Sequence, residues 1–399
     1  MKILIINDLL IYGGAEMQGR REKEILEKNG HEVYLLTFDE KFPVNHELYN
    51  CENKFINIKI KNKGLIAIYR KIFKDYQLIN KIKQVIEKIE PNIIHINNLY
   101  LAPFSQYNAL EQYKCVQTIR DYSAVCPLGT CIYNNYKICK GIKFNKCNIS
   151  CNFSLKSKLK LYRYKQVDKL RKSVVNKFIC PSEMLTEYCE QHDFNIQCIN
   201  NSFDSNKIKR FNKKVDLNKK KYLYFGVINE NKGVFKLLEA FEEFSKDKNV
   251  ELLLAGKVED EFKDKFNSYL KNNKRLRYLG YQDYEKMLSV LEEVYSVVIP
   301  SLWMENYPNT VLEGMVTECL VLGSNRGGIP GMLSYDRGVL FDVMNKDDII
   351  DKLNISYNLS KEKYLDIVNR AKEYVISNNN TEKYYERLIK VFNKVLIDQ

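Results

Sequence analysis

A short apolar strand, a glycine turn and a helix recur in that order at the head of each half of this chain, and that recurrence limits the fold more than any other feature. Met1-Lys-Ile-Leu-Ile-Ile-Asn7 reads as the first strand, Gly13-Gly14-Ala15-Glu16 as its turn, and the residues to about Asn29 as the helix. Tyr222-Leu-Tyr-Phe-Gly-Val-Ile-Asn-Glu-Asn-Lys-Gly233 repeats the pattern ahead of a helix from Val234 to Phe244. Val297, Val298 and Ile299 give a third buried strand, ended by Pro300 and Ser301. Strands that alternate with helices need crossover connections, which predicts an α/β protein with parallel sheets. A chain of 399 residues exceeds the size at which single cores divide, so two domains are expected. The boundaries predicted are 1–204 for the first domain, 205–220 for a polar, charge-rich linker without helical periodicity, 221–376 for the second, and 377–399 for a terminal helix.

Chemistry concentrates between Pro300 and Gly331. Glu305 and Glu313 stand seven residues apart around Pro308-Asn309-Thr310, and Asn309 or Thr310 is expected to cap a helix whose apolar side carries Val311, Leu312 and Met315. Glu305 would then lie in a loop and Glu313 about one turn into the helix. A helix N-terminus offers unpaired N–H groups and positive potential, which suits a diphosphate. Upstream, Lys232 would supply a point charge for phosphate. The alternative for this segment alone is a surface loop bearing two solvated glutamates.

The net charge is +13, from 63 Lys and Arg against 50 Asp and Glu. A composition rich in Lys, Asn and Ile accounts for it without a partner. Locally, residues 153–172 interleave Leu and Tyr with many cations, a pattern that fits either a helix in a membrane interface or a solvated helix covering the first domain. No recognition-helix or RNA-binding signature accompanies the charge, so nucleic acid is not expected as a partner. The N-terminal apolar run is short and enters a glycine turn, unlike a signal peptide, and no stretch approaches the roughly 20 apolar residues of a membrane span. A cytoplasmic location is expected, either free or peripheral at the inner membrane face. In that compartment disulfides are rare. The five cysteines of the 126–151 loop, Cys126, Cys131, Cys139, Cys147 and Cys151, then read as a structural zinc site, an iron–sulfur site or free thiols; clean Cys-x-x-Cys pairs are lacking. Cys51, Cys115, Cys180, Cys189, Cys198 and Cys319 are scattered and read as small apolar residues.

Taken together, Gly13-Gly14-Ala15-Glu16, Gly30-His31-Glu32-Val33, Pro91 to His95, Asp121-Tyr122 with Cys126-Pro127, Asn201 to Asp204, Lys232-Gly233, Leu254-Ala-Gly256, the Glu305 to Glu313 segment and Gly327-Gly328-Ile-Pro follow one another in an order that resembles the retaining glycosyltransferases of family 4. The resemblance covers nearly the whole chain. It implies the GT-B fold, two facing Rossmann-like domains with parallel sheets, and a C-terminal helix, Thr381 to Leu396, that crosses back to the first domain.

The resemblance also implies roles. Glu313 matches the glutamate that holds the ribose of a nucleotide sugar, Glu305 the one that contacts the transferred sugar, and Lys232 the lysine on the diphosphate. Asn309 and Thr310 fall where backbone amides meet the phosphates, and Gly13 and Gly14 where the first domain closes on the donor. Arg120 and Asp121 stand where the family has His-Asp. Arg120 is expected either to add charge to the phosphates or to pair with Asp121. Two further departures are Val227 in place of an arginine and Gly331 in place of a glutamate. The implied activity is retaining transfer from a UDP- or GDP-linked sugar to a glycan or lipid-linked acceptor, in surface polysaccharide synthesis, without a catalytic cofactor. A chain that has lost turnover and serves as a scaffold is the other reading.

Overall fold

The computed structural model describes residues 1–9, 14–40, 54–61, 63–139, 147, 151, 155–204, 208 and 211–398. The chain forms two compact units, Met1–Asn201 with Thr381–Gln399, and Ser202–Asn380.

The first unit is built on a parallel sheet of seven strands among the described residues: β1 (Lys2–Asn7), β2 (Glu32–Thr37), β3 (Phe55–Asn57), β4 (Ile93–Asn98), β5 (Cys115–Thr118), β8 (Lys177–Cys180) and β9 (Ile196–Cys198), with a small antiparallel pair, β6 (Ile132–Tyr133) and β7 (Lys137–Ile138), beside it. Spatial order is β3-β2-β1-β4-β5-β8-β9, so the direction of winding reverses between β1 and β4. Near-continuous apolar runs such as Ile3 to Ile6 suit strands covered on both faces. The last helix, Thr381–Ile397, belongs to this unit because its residues 384, 388, 391, 392 and 395 fall on one stripe: Tyr384, Leu388, Val391, Phe392 and Val395 are buried with Ile3, Ile5, Ile25 and Val33.

The second unit carries a six-stranded parallel sheet, β10 (Lys220–Phe225), β11 (Val250–Ala255), β12 (Leu276–Gly280), β13 (Ser296–Ile299), β14 (Leu320–Ser324) and β15 (Val339–Phe341). Its order is β12-β11-β10-β13-β14-β15, with the reversal between β10 and β13. In open parallel sheets such reversals leave a crevice at the carboxyl ends of the strands, where ligands bind.

Two segments singled out in the sequence take a defined form. The described part of 205–220 is no free linker: Ile208 and Phe211 pack on the second core, Lys213 Nζ donates to the Leu291 carbonyl at 3.0 Å, and Lys214 pairs with Glu292 at 2.9 Å. Two apolar side chains in a charged run sufficed to seat it. The basic segment forms the helix Leu155–Val174. Within it Leu161, Arg171 and Val174 are buried, whereas Tyr162, Lys165, Lys169 and Ser173 are exposed, so it covers the first unit with one face and turns the other to solvent.

Candidate functional site

Three loops meet at the carboxyl ends of β10, β13 and β14. After β10, the amide of Lys232 donates to Asn229 Oδ1 at 2.9 Å, and Gly233 takes a left-handed conformation (φ +67°) as the residue before the helix Val234–Phe244. A Cβ at Gly233 would fall 1.8 Å from the Pro300 carbonyl oxygen, so only glycine lets the first loop lie on the second. The amides of Leu302 and Trp303 complete that seam by donating to the Asn231 carbonyl. After β14, the Gly328 amide donates to the Glu305 carbonyl at 2.7 Å, and Ser324 Oγ donates to the Ser301 carbonyl at 2.8 Å.

This stitching brings Lys232 and Glu305 together. Lys232 Nζ lies 2.7 Å from Glu305 Oε1, which also accepts from Ser301 Oγ at 2.6 Å and from Trp303 Nε1 at 2.7 Å. The ammonium sits 4.4 Å from the Trp303 ring centroid, a cation–π contact. Burial pushes the Glu305 carboxyl up, but the charge of Lys232 and the three donors outweigh it, so its pKa is lowered. Glu305 is thus a held carboxylate rather than a solvated one.

Asn309 and Thr310 do not cap the helix Asn309–Val316. Pro308 is its N-cap, without a side-chain cap hydrogen bond, and the two residues are its first and second helical positions. Proline's fixed φ and the extended backbone at Pro308 start the helix one residue earlier than the polar side chains suggested. The amides of Asn309 and Thr310 therefore belong to the first turn, whose N–H groups have no partner within the helix. Glu313 is the fifth residue, half-buried, and borders a small cavity with Phe203, Tyr284, Met287 and Thr317. Val227 is 41% exposed, and a side chain at Gly331 would meet open space. Neither departure from the family pattern is imposed by packing.

In the first unit, the sheet reversal gathers a different set. Gly13 lies outside the described residues, and Gly14 begins the helix Gly14–Lys28. Arg120, just beyond β5, donates from Nε to Asn97 Oδ1 at 2.6 Å and from Nη1 to Asn201 Oδ1 at 2.7 Å, with Nη2 3.8 Å from Glu22. Glu22 in turn bonds the His95 Nδ1 atom and accepts from Tyr384 Oη at 2.7 Å, while His95 Nε2 lies 2.8 Å from Thr118 Oγ1. His95 is fully buried, with both ring nitrogens bonded within the protein. Burial raises the Glu22 pKa, but His95, Arg120 and the Tyr384 hydroxyl lower it further than burial raises it. Asp121 is exposed and caps the short turn Tyr122–Ala124 by accepting from the Ser123 amide at 2.9 Å.

None of the clustered cysteines is in a disulfide; Cys126, Cys131 and Cys147 are buried and Cys139 and Cys151 partly so. The Cys126 thiol is hydrogen-bonded to Cys131, and with nearby backbone amides this lowers its pKa to about 5. The Cys139 amide donates to the Cys131 carbonyl and that of Cys151 to the Cys147 carbonyl. Among the described residues no group of three or more His, Cys, Asp or Glu is disposed to hold a metal ion. Cys51 lies outside the described residues; Cys115, Cys180, Cys189 and Cys319 are buried.

Sequence reading did not single out Ser301, Glu22 or Tyr384. Ser301 had a signal, a polar residue ending a buried strand one turn of chain before a glutamate. Glu22 had none: it stands in the charged run Arg20-Arg-Glu-Lys-Glu24 of the helix Gly14–Lys28.

Residues 205–374 match the family model described as glycosyl transferases group 1. A protein of Klebsiella pneumoniae described as an uncharacterized 42.6 kDa protein in the cps region is 23% identical over 390 residues, covering 88% of this chain and 92% of its own length. Among solved structures, a glycosyltransferase from Rickettsia africae superposes with a TM-score of 0.75 at 16% identity, covering all of this chain and 99% of its own. Anabaena Alr3699/HepE in complex with UDP-glucose gives 0.73 at 15%, covering 99% and 100%. The chain has the GT-B fold, and the match to the glycosyl transferases group 1 model falls in its second unit. No helix among the described residues is long and apolar enough to cross a membrane.

Proposed function

We propose that this protein is a retaining glycosyltransferase that takes a sugar from UDP and passes it to a glycan or lipid-linked acceptor in surface polysaccharide synthesis. The carrying observation is the Lys232–Glu305 pair, held by Ser301 and Trp303 at a sheet reversal inside the segment that matches group 1 glycosyl transferases. The UDP-glucose complex of HepE and the cps-region relative support the donor and the setting.

In this reading a diphosphate binds at the start of the helix Asn309–Val316, where the amides of Asn309 and Thr310 and the helix dipole oppose its charge. Lys232 turns from Glu305 to the diphosphate and neutralises it as the glycosidic bond breaks. Glu305, freed of its partner, accepts from a hydroxyl of the transferred sugar. Glu313 holds the ribose. The leaving phosphate takes the acceptor's proton on the face from which it departs, so the chain's work is to fix donors and exclude water, without a metal. Arg120 and Asp121 belong to the acceptor side, with Glu22 and the two asparagines setting the guanidinium's direction.

Calorimetry with UDP and with GDP, on wild type beside Glu313→Ala and with or without a divalent cation, tests this. Saturable UDP binding that is lost in the variant and indifferent to metal is expected. Binding of neither nucleotide would overturn the reading and leave the scaffold role.

A further inference from the structure

The first unit contains a cavity of about 430 Å³ between the helices Gly64–Ile72 and Leu155–Val174. Its walls are mostly apolar, from Ile68, Ile72, Leu99 and Val167, which is the wrong surface for a free sugar chain. Three cations, Lys71, Arg163 and Arg171, line it against one carboxylate, Asp168, and that carboxylate is already paired with Arg171 at 2.5 Å and Lys172 at 2.8 Å. The cavity therefore carries excess positive charge within an apolar wall.

Two of those cations each keep one buried donor without a partner among the described residues. Arg171 is 8% exposed, and its Nε has no hydrogen-bond partner among the described residues; the same holds for the buried Nε of Arg163, whose guanidinium lies 5.2 Å from the Phe73 ring. Unsatisfied buried donors are rare and costly, and here both belong to residues that border one cavity. Those two atoms are themselves closed off from the cavity, so what an occupant meets is the charge of the guanidinium groups, which an anion would balance. An apolar chain would fill the rest.

The surface beside the cavity argues that the occupant comes from a membrane. Of the helix Gly64–Ile72 only Ala67 is buried, while Leu65 is 86%, Ile68 56% and Tyr69 50% exposed. Leu65, Ile68, Tyr69 and Ile72 fall on one stripe, of which Ile68 and Ile72 border the cavity, so the apolar wall continues onto exposed surface. The exposed Lys63, Lys71 and Lys74 flank that stripe, a combination that favours an anionic lipid interface, whereas Arg70 is paired with Asp75 at 3.0 Å. The opposite cavity wall includes Ser123 and Pro127, from the segment that begins at Arg120 and Asp121.

We infer that this cavity, with the exposed stripe of the helix Gly64–Ile72, binds the hydrocarbon chain and phosphate of a lipid phosphate carried in the membrane, and that this lipid is the anchor of the acceptor. The binding site stands on the cavity alone; its assignment to the acceptor rests on the transferase reading. Membrane contact then runs through residues 63–73 rather than through the solvent face of the helix Leu155–Val174.

Calorimetric titration of the full chain with farnesyl phosphate, farnesol and inorganic phosphate tests the site, with UDP titration of each variant as the check that the chain is folded. Farnesyl phosphate should bind, and each control should bind at least about tenfold more weakly, since each keeps only half of the recognition. Val167→Trp should fill the cavity, and Arg163→Gln should remove a cation; each should weaken farnesyl phosphate and leave UDP unchanged. Phosphate binding as tightly as farnesyl phosphate would overturn the lipid, and farnesol doing so would overturn the anion site. Failure of farnesyl phosphate with UDP binding intact would overturn the inference and spare the transferase reading. Leu65→Ser with Ile68→Ser should lower sedimentation with phosphatidylglycerol–phosphatidylcholine vesicles, and an unchanged sedimented fraction would refute the membrane face.

Discussion

Breaking the Lys232–Glu305 pair should cost the second unit measurable stability, and the only tryptophan of the chain, Trp303, reports it. The Glu305 side chain is 12% exposed and that of Lys232 27%, so the pair is neither dry nor freely solvated. Removing one partner of a fully buried pair costs about 3–5 kcal/mol, and exposed pairs contribute about 0–1 kcal/mol. Glu305→Gln keeps an acceptor for Ser301 and Trp303 but strands the ammonium, which places the expected loss at about 2–3 kcal/mol. For a unit of this size that corresponds to roughly 4–12 °C in Tm. Lys232→Met removes the cation and should cost a similar amount. The double variant should recover part of the sum, with a coupling of about 1–2 kcal/mol. Denaturation followed by Trp303 emission isolates the second unit, because no other tryptophan exists. The sign with pH follows from the lowered carboxyl: its stabilisation is fully present above the unfolded value of 4.5 and is lost as pH falls through the folded pKa. A coupling indistinguishable from zero, or a Glu305→Gln variant as stable as wild type at neutral pH, would refute the held-carboxylate argument.

Other outcomes test the remaining assignments. Glu313→Ala should weaken nucleotide binding while Glu305→Ala spares it and depresses turnover; equal loss of binding in both would defeat the separate roles. Gly327 has φ +58°, and a Cβ there would fall 1.9 Å from the Glu305 carbonyl oxygen, so Gly327→Ala should destabilise by about 2 kcal/mol or more, whereas Gly331→Glu, facing open space, should stay within about 0.5 kcal/mol by the same melting assay. Tyr384→Phe removes a buried hydroxyl bonded to Glu22 and should cost about 1.5–3 kcal/mol in chemical denaturation; no change would mean the terminal helix is held by its apolar stripe alone. Elemental analysis of protein purified without chelators measures zinc directly, and a stoichiometric ion lost in a Cys131→Ser, Cys139→Ser variant would place it at the cysteine cluster.

What the sequence determined is what local chemistry dictates. The apolar strands Ile3 to Ile6 and Val297 to Ile299, the glycine turns before Val234 and the stripe of the final helix each follow from periodicity and backbone freedom, and they suffice for two parallel-sheet units. The sequence also marked Lys232, Glu305 and Glu313 by their place after strands. Tertiary structure decided which of them touch. Lys232 and Glu305 are 73 residues apart and meet only because β10 and β13 are neighbours and Gly233 lets the Pro300 carbonyl approach. The partners of Arg120, the burial of Glu22 and His95, and the cavity between the helices Gly64–Ile72 and Leu155–Val174 are equally products of packing between distant segments. Periodicity records which face of an element is buried; it carries no record of the side chain from another element that meets it there.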